Sequence, residues 1–350
     1  MTKNTYQKIL FVVLLLASLF AINYWVKSPP PSPIDQEKNS YIAESPSKPA
    51  NTEPSNTLPS NTKLANAKPK PVINKSSQPP AKDISLNSLD ELIELFNSLN
   101  YNTESWAAGV REVPRLTFES VSEKWQQTSN EIPVQLKKMV FFRLMAPLIL
   151  ISNENITIER ETVKEASLND EQLITIARKY RVINDHLEAI TEEQRQQLLK
   201  RVDIMPPSLV LAQAAEESGW ATSRFTLEGN AFFGQWDFSG NGMIPKQQRK
   251  ELGNYGLARF DTPQASVEGY MLNINTNAAY LKLRELRRDL RANNKPITGL
   301  ELANTLDKYS ERGQAYIDGI QQMIRFNKLE QVDEAYLSES APLHLITANQ

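Results

Sequence analysis

The chain has 350 residues, no Cys, two His, 21 Pro and 12 Gly. Without Cys there is no disulfide framework, no Cys-ligated metal site and no thiol catalysis. His186 and His344 are too few for a His-rich metal centre, so catalysis falls to carboxylates, Tyr, Lys or Ser, with no metal and no cofactor called for. The formal net charge of −2 is uneven: the first 82 residues carry ten Lys against four acids, so the remainder is acidic. An acidic main domain is a poor nucleic-acid binder, because phosphate neutralisation dominates that affinity.

Residues 1–27 read as a signal-anchor or transmembrane segment. Ile9–Ile22 is an unbroken apolar run, preceded by Lys3 and Lys8 and followed by Tyr24, Trp25 and Lys27. Its hydrophobic stretch of about 18 residues approaches spanning length, and the flanking Lys and aromatic residues sit where a membrane interface wants them. A cleaved signal peptide is the competing reading. It is disfavoured because no small-x-small site follows the run. Either reading exports the rest of the chain, and the anchor places the main domain in the periplasm on a single-pass inner-membrane protein.

Residues 28–83 read as a disordered linker. Twelve of the 21 Pro lie between positions 29 and 80, and the first Gly is Gly109. A segment with so few apolar residues cannot offset its ordering entropy, and its Pro content stiffens it toward polyproline II. Extended, it reaches roughly 100 Å or more at about 3 Å per residue.

Residues 84–184 read as a helical N-terminal extension. Leu89, Leu92, Ile93, Phe96 and Leu99 recur at helical spacing, with Ser88 as N-cap. A second helix covers 133–151, and Pro147 is expected to kink or end it. Further amphipathic helices are expected over Asp170–Tyr180 and Glu192–Val202. Pro206-Pro207 then opens a helix that Gly219 is placed to end. Half of all Gly fall between Gly229 and Gly256, among Phe232, Phe233, Trp236, Phe238 and Tyr255. This predicts a small β-hairpin lobe. Helices return over Pro263–Arg291, Gly299–Tyr309 and Gln314–Leu329, and 333–350 reads as a tail. Arg284, Arg287, Arg288 and Arg291 read as a solvated helix face, and His186 as structural.

The chemistry concentrates in Leu211-Ala-Gln-Ala-Ala-Glu-Glu-Ser-Gly-Trp220. Adjacent residues point about 100° apart on a helix, so one of Glu216 and Glu217 can face solvent while the other faces a cleft. A carboxylate at the helix C-terminus meets the negative end of the macrodipole, and Trp220 offers an apolar wall. Both raise a carboxyl pKa toward the range of a general acid. A bare Glu pair at a helix end is otherwise an ordinary surface feature.

The wider string, LAQAAEESGW followed by GNAFFGQW, resembles the bacterial endo-β-N-acetylglucosaminidase family, which includes flagellar peptidoglycan hydrolase domains and cell-wall autolysins. Gln213, Glu217, Ser218, Gly219 and Trp220 match its first motif, and Gly229, Asn230, Phe233 and Gly234 its second. Phe260, Asp261, Ser266 and Tyr280 continue the match, as do Tyr309 and Tyr316. The chain departs at Ala221, where the family has Gly, and at Glu311-Arg312-Gly313, where it has Thr-Asp-Pro; this altered loop is similar to that of a Bax-type membrane-anchored branch. The resemblance implies a lysozyme-like, mainly α domain over 185–332, with the β lobe walling a groove. It implies a peptidoglycan glycan strand as partner, Glu217 as general acid and Tyr309 close to it. The second carboxylate belongs on the hairpin. Glu251 is chosen, with Asp237 and Glu228 as alternatives. Gln213, Trp220, Asn230, Phe233, Trp236 and Tyr316 are the candidate substrate-binding residues, the aromatics serving either as stacking platforms or as lobe core. A muramidase or lytic transglycosylase uses a similar helix-end Glu, and a non-catalytic glycan-binding scaffold is the reading from another class.

Overall fold

A computed structural model describes residues 79–184, 187–237, 239–245 and 256–347. The expected membrane segment, most of the linker, His186 and Glu251 lie outside these residues. Among the described residues, no helix is long and apolar enough to cross a membrane.

The elements follow in chain order. β1 (Lys82–Leu86) leads into α1 (Leu89–Ser98) and α2 (Thr103–Ala107). β2 (Glu112–Val113), β3 (Leu116–Phe118) and α3 (Trp125–Glu131) precede the long α4 (Val134–Glu165). α5 (Glu171–Lys179), α6 (Glu192–Arg201), α7 (Pro207–Ser218) and α8 (Arg224–Gly229) lead to the short strands β4 (Trp236–Asp237) and β5 (Gly256–Leu257). α9 (Pro263–Thr276), α10 (Leu281–Ala292), α11 (Gly299–Ala303) and α12 (Gln314–Phe326) complete the helices, and β6 (Tyr336–Leu337) and β7 (Leu343–Thr347) close the chain.

The helix boundaries follow their caps. Ser88, Asp170 and Thr191 each accept a hydrogen bond from a backbone N–H of the first turn, and Thr191 with Gln194 forms a complete capping box. Pro147 does not end its helix. α4 continues through it, 32 residues in all. A mid-helix Pro costs about 3 kcal/mol in a lost hydrogen bond and a steric clash. Here the run from Met145 to Leu150 is buried throughout, Pro147 included, and packing against α7 and α9 outweighs the penalty.

The expected tail is part of the sheet structure. β7 lies between β1 and β3, parallel to both, with Leu343 opposite Lys82 on one side and Leu116 on the other. β2 and β6 form a second parallel pair. Arg115 clamps the arrangement: its guanidinium grips Glu154 of α4 at 2.6 and 2.7 Å, and its Nε donates to the Ser338 carbonyl. The end of the chain thereby ties residues 82–118 to α4.

The arginines of α10 are also not a solvated face. Arg284 and Arg287 are buried, Arg287 completely, and only Arg288 pairs with a neighbour at the surface, Asp289. Arg287 donates to the carbonyls of Asp203 and Ile204 and to Asn275 Oδ1. Arg287, Arg291 and Arg160 converge on the buried Asp203 carboxylate. Burial pushes it up, but the Arg287 charge first, then the Arg291 hydrogen bond and the Arg160 charge, hold it below the usual carboxylate range. A helix-wheel reading cannot see this, because the partners are carbonyls and one acid from distant turns.

α7 is the central element. Ten of its twelve residues are buried, and Ala212, Ala214 and Ala215 allow close approach of α4, α11 and α12. Its N-terminus is held by Asp333, which accepts from Ser208 N and Oγ at 2.8 Å each and from Gly299 N at the start of α11. One carboxylate thus caps two helix N-termini, where the macrodipole favours negative charge. Gly299 is required there, since a Cβ would lie 2.1 Å from Ser208 Oγ.

Candidate active site

The end of α7 is built for a sharp exit. Gly219, Trp220 and Ala221 all adopt left-handed φ values, +57°, +62° and +64°. Ser218 stabilises the turn from within: its Oγ donates to the Ala214 carbonyl and accepts from Ala221 N. The left-handed conformation disfavours a β-carbon by roughly 1–2 kcal/mol. Against this, the Ala221 methyl is buried, worth about 0.8 kcal/mol, and Gly would add chain entropy to the unfolded state. These terms nearly cancel. Ala221→Gly is therefore expected to change stability by less than about 1 kcal/mol, read as a melting temperature within a few degrees of wild type. A drop much larger than this would show that the methyl is a packing requirement.

Glu216 and Glu217 part as their spacing predicts. Glu216 pairs with Arg312 at 2.7 Å. Glu217 turns the other way, half-buried, and accepts a hydrogen bond on Oε1 from the Tyr316 hydroxyl at 2.9 Å. Burial drives its carboxyl up from the ordinary 4.5 to about 7; the Tyr316 hydrogen bond and Arg312 pull it down, and the Glu216 charge pushes it up. A carboxyl that holds its proton to near neutrality can act as a general acid.

A layer of aromatic residues surrounds it. Tyr316 stacks on Tyr309 (centroids 5.3 Å apart, planes 13° apart), and Tyr309 in turn meets Tyr280. The Tyr316 hydroxyl bonds to Glu217, and Tyr309 lies stacked behind it, close to the same carboxyl. Gln213 is fully buried one turn earlier on α7 and bonds to the hydroxyls of both Tyr316 and Tyr270. Tyr270 escaped the sequence reading. Its signal was available in the helical spacing that places it on the buried face of α9 with Ser266 and Val267.

The lobe supplies the facing wall. β4 and β5 pair antiparallel, Trp236 opposite Leu257 and Asp237 opposite Gly256. Among the described residues the pairing is two residues per strand, extended by the Met243–Leu257 bridge. Gly242 and Gly256 cross so closely that a Cβ on either would lie under 3 Å from the other's backbone. A Cβ at Gly234, whose φ is +58°, would lie 3.9 Å from both Glu217 Oε2 and Leu257 Cδ2. The second oxygen of Glu217 therefore faces the lobe.

The remaining candidates divide. Phe233 is buried and stacks on Tyr270 at 4.1 Å, and Phe232 is core; neither offers a free face like an exposed stacking platform. Trp236 is half-exposed on β4. Trp220 sets its ring against Phe141 and Phe142 of α4, with the Lys138 ammonium over it. Asn230 adopts φ +50° and donates to the carbonyls of Phe260 and Asp261, bracketing the lobe. Glu228 pairs with Arg224. Asp237 accepts from Ser239 N and Oγ, which hold it below the usual carboxylate range. An apolar cavity of about 260 Å³ lies elsewhere, among Leu92, Phe118, Trp125, Phe141 and Leu345. It touches Ala221 but none of the groups bonded to Glu217. Among the described residues, no group of three His, Cys, Asp or Glu could hold a metal ion.

Residues 192–329, which carry α7, the aromatic layer and the described lobe, match the family described as mannosyl-glycoprotein endo-beta-N-acetylglucosaminidase. They form a glucosaminidase-family domain. The chain is also similar to Protein bax of Escherichia coli (strain K12), 31% identical over 188 residues. The match covers 51% of this chain and 66% of that relative, just under two thirds of its length. No solved structure matches the chain significantly. The family resemblance of residues 192–329 is to glycoside hydrolases. The altered loop also has a structural basis. Gly313 has φ +52°, which Pro cannot adopt, and Arg312 uses the turn to reach Glu216 and lie over the Tyr316 ring.

Proposed function

We propose that the protein is an exported, membrane-anchored peptidoglycan hydrolase. It cleaves β-1,4 bonds of the glycan strand as an endo-β-N-acetylglucosaminidase. The observation that carries this reading is Glu217: a carboxyl at the end of the central helix, raised to about 7, with one oxygen turned toward the lobe. Glu217 protonates the glycosidic oxygen, the bond to the anomeric carbon breaks, and positive charge builds on the sugar. Water then adds to that carbon, giving its proton to a carboxylate base, and Glu217 regains a proton from solvent for the next turnover. The hairpin supplies the balancing carboxylate. Glu251 is the acid chosen from sequence, and Asp237 is the described hairpin acid whose hydrogen bonds keep it ionised. Separations of about 5–5.5 Å favour retention and about 6.5–9.5 Å inversion. The substrate N-acetyl group is the alternative nucleophile, with Tyr309 beside it.

The anchor rests on the apolar run Ile9–Ile22 behind Lys3 and Lys8. It holds the domain on the periplasmic side of the inner membrane, and the Pro-rich linker gives it reach toward the wall.

Digestion of purified sacculi by the full chain tests the reading. Released fragments with N-acetylglucosamine at the reducing end are expected. Muramic acid ends indicate a muramidase, and anhydro ends a lytic transglycosylase. If sacculi are bound and no fragment appears, the protein is a glycan-binding scaffold and the enzymatic reading fails.

A further inference from the structure

The hydroxyls and amide behind Glu217 form a single directed chain. Tyr270 OH donates to Gln213 Oε1, Gln213 Nε2 donates to Tyr316 OH at 3.0 Å, and Tyr316 OH donates to Glu217 Oε1 at 2.9 Å. All three relay side chains are buried, at 2% exposure or less. Each phenol also has a stacked ring partner, Phe233 on Tyr270 and Tyr309 on Tyr316.

A phenol has one proton to give. Because Tyr316 accepts from Gln213, its own proton must go to Glu217. Oε1 of Glu217 is then an acceptor in either protonation state, and the acidic proton is left to Oε2. That is the oxygen facing Gly234 and Leu257 of the lobe. The opposite polarity needs the Gln213 amide to flip. Tyr316 would then donate to Gln213, and Glu217 would turn its proton inward onto Tyr316. In the flipped state the Gln213 Nε2 also occupies the position that now accepts from Tyr270. The Tyr270 proton would be a buried donor without its acceptor, a state that folded proteins avoid.

We propose that Tyr270 is a positioning residue for the acid: by fixing the direction of the Gln213–Tyr316 relay, it places the transferable proton of Glu217 on Oε2, toward the glycan. This rests on the reading of Glu217 as the general acid. Tyr270 acts at two removes, through Gln213 and Tyr316. The other groups facing Glu217 are Glu216 on its own helix, Arg312 and Tyr309 ahead of α12, and Tyr280 ahead of α10. Tyr270→Phe changes none of their charges.

The test is a carbon-13 titration of the Glu217 carboxyl together with kcat and KM on sacculi, for wild type, Tyr270→Phe, Tyr316→Phe, the double variant and the remote control Tyr180→Phe. In Tyr270→Phe the amide loses its directional preference, so Tyr316 donates to Glu217 only part of the time. That donation favours the anion. Its weakening raises the Glu217 midpoint, and the alkaline limb of the rate moves to higher pH with it. A kcat loss of about tenfold with KM unchanged is expected, the scale of one hydrogen bond. Tyr316→Phe shifts the midpoint further, and the double variant matches Tyr316→Phe alone, because Tyr270 acts only through Tyr316. Tyr180→Phe, which removes a phenol bonded to Glu159 away from the site, leaves both readouts in place. An unchanged midpoint and kcat in Tyr270→Phe, or additive shifts in the double variant, overturn the proposal. The wild-type protein offers a readout that needs no variant: the Gln213 amide protons should show cross-peaks to the Tyr316 ring and none to Tyr270. Cross-peaks to Tyr270 instead overturn the proposed direction. If wild type cleaves no glycan, the hydrolase reading falls while titration and cross-peaks still decide the relay.

Discussion

Glu217→Gln is expected to lower kcat on sacculi by about 10²–10⁴-fold, the range that a general acid contributes. This corresponds to about 3–5 kcal/mol of transition-state stabilisation. The substitution is isosteric, and the Gln carbonyl still accepts from Tyr316, so the loss isolates the proton. Glu216→Gln serves as the matched control. Its carboxylate pairs with Arg312, and its removal is expected to leave kcat within a few-fold of wild type. Stability moves the opposite way in the key variant. The Glu217 pKa is raised in the folded state, so between 4.5 and about 7 the native protein binds more protons than the unfolded chain. Stability from this group therefore falls as pH rises through that window. Above it, Glu217→Gln should melt higher than wild type while being nearly inactive. A variant that is inactive because it is unfolded would show the reverse.

The second large effect concerns Asp203, which precedes the central helix. Asp203→Ala removes the carboxylate that Arg160, Arg287 and Arg291 share. Arg287 is completely buried, so its charge is left uncompensated. Breaking a buried pair this way costs about 3–5 kcal/mol. At about 2–4 °C per kcal/mol the melting temperature falls by roughly 6–20 °C. Arg288→Ala, on the exposed side of the same helix, should change stability by less than about 0.5 kcal/mol. The pH dependence has a definite sign. The Asp203 pKa is depressed on folding, so its stabilisation is fully present above the unfolded carboxylate range and lost as pH falls through the folded value. A wild-type acid unfolding transition that persists unchanged in Asp203→Ala would show that the cluster is not its source.

What the sequence made legible divides along physical lines. α7 announced itself at both ends, by Pro206-Pro207 and by Gly219, because those residues act locally on backbone geometry. Glu217 was separable from Glu216 by helix geometry and motif register, and Arg312 was visible as a departure whose partner was not. β1, β2, β3, β6 and β7 passed unseen. They are two to five residues long, and all five find partners more than 200 residues away, so no local period marks them. Shorter but still non-local separations, 84 and 57 residues, hid the Arg287–Asp203 cluster and the Tyr270–Gln213 bond. Pro147 misled for a different reason: its local penalty is real but smaller than the packing around it.

The measurement that tests the account most directly is the carbon-13 titration of the Glu217 carboxyl in the wild-type protein. A midpoint near 7 is predicted, because burial opposes the anion more strongly than Tyr316 and Arg312 favour it. A midpoint at the ordinary 4.5 would leave Glu217 ionised at neutral pH, without the proton that the proposed reaction requires, and would contradict it.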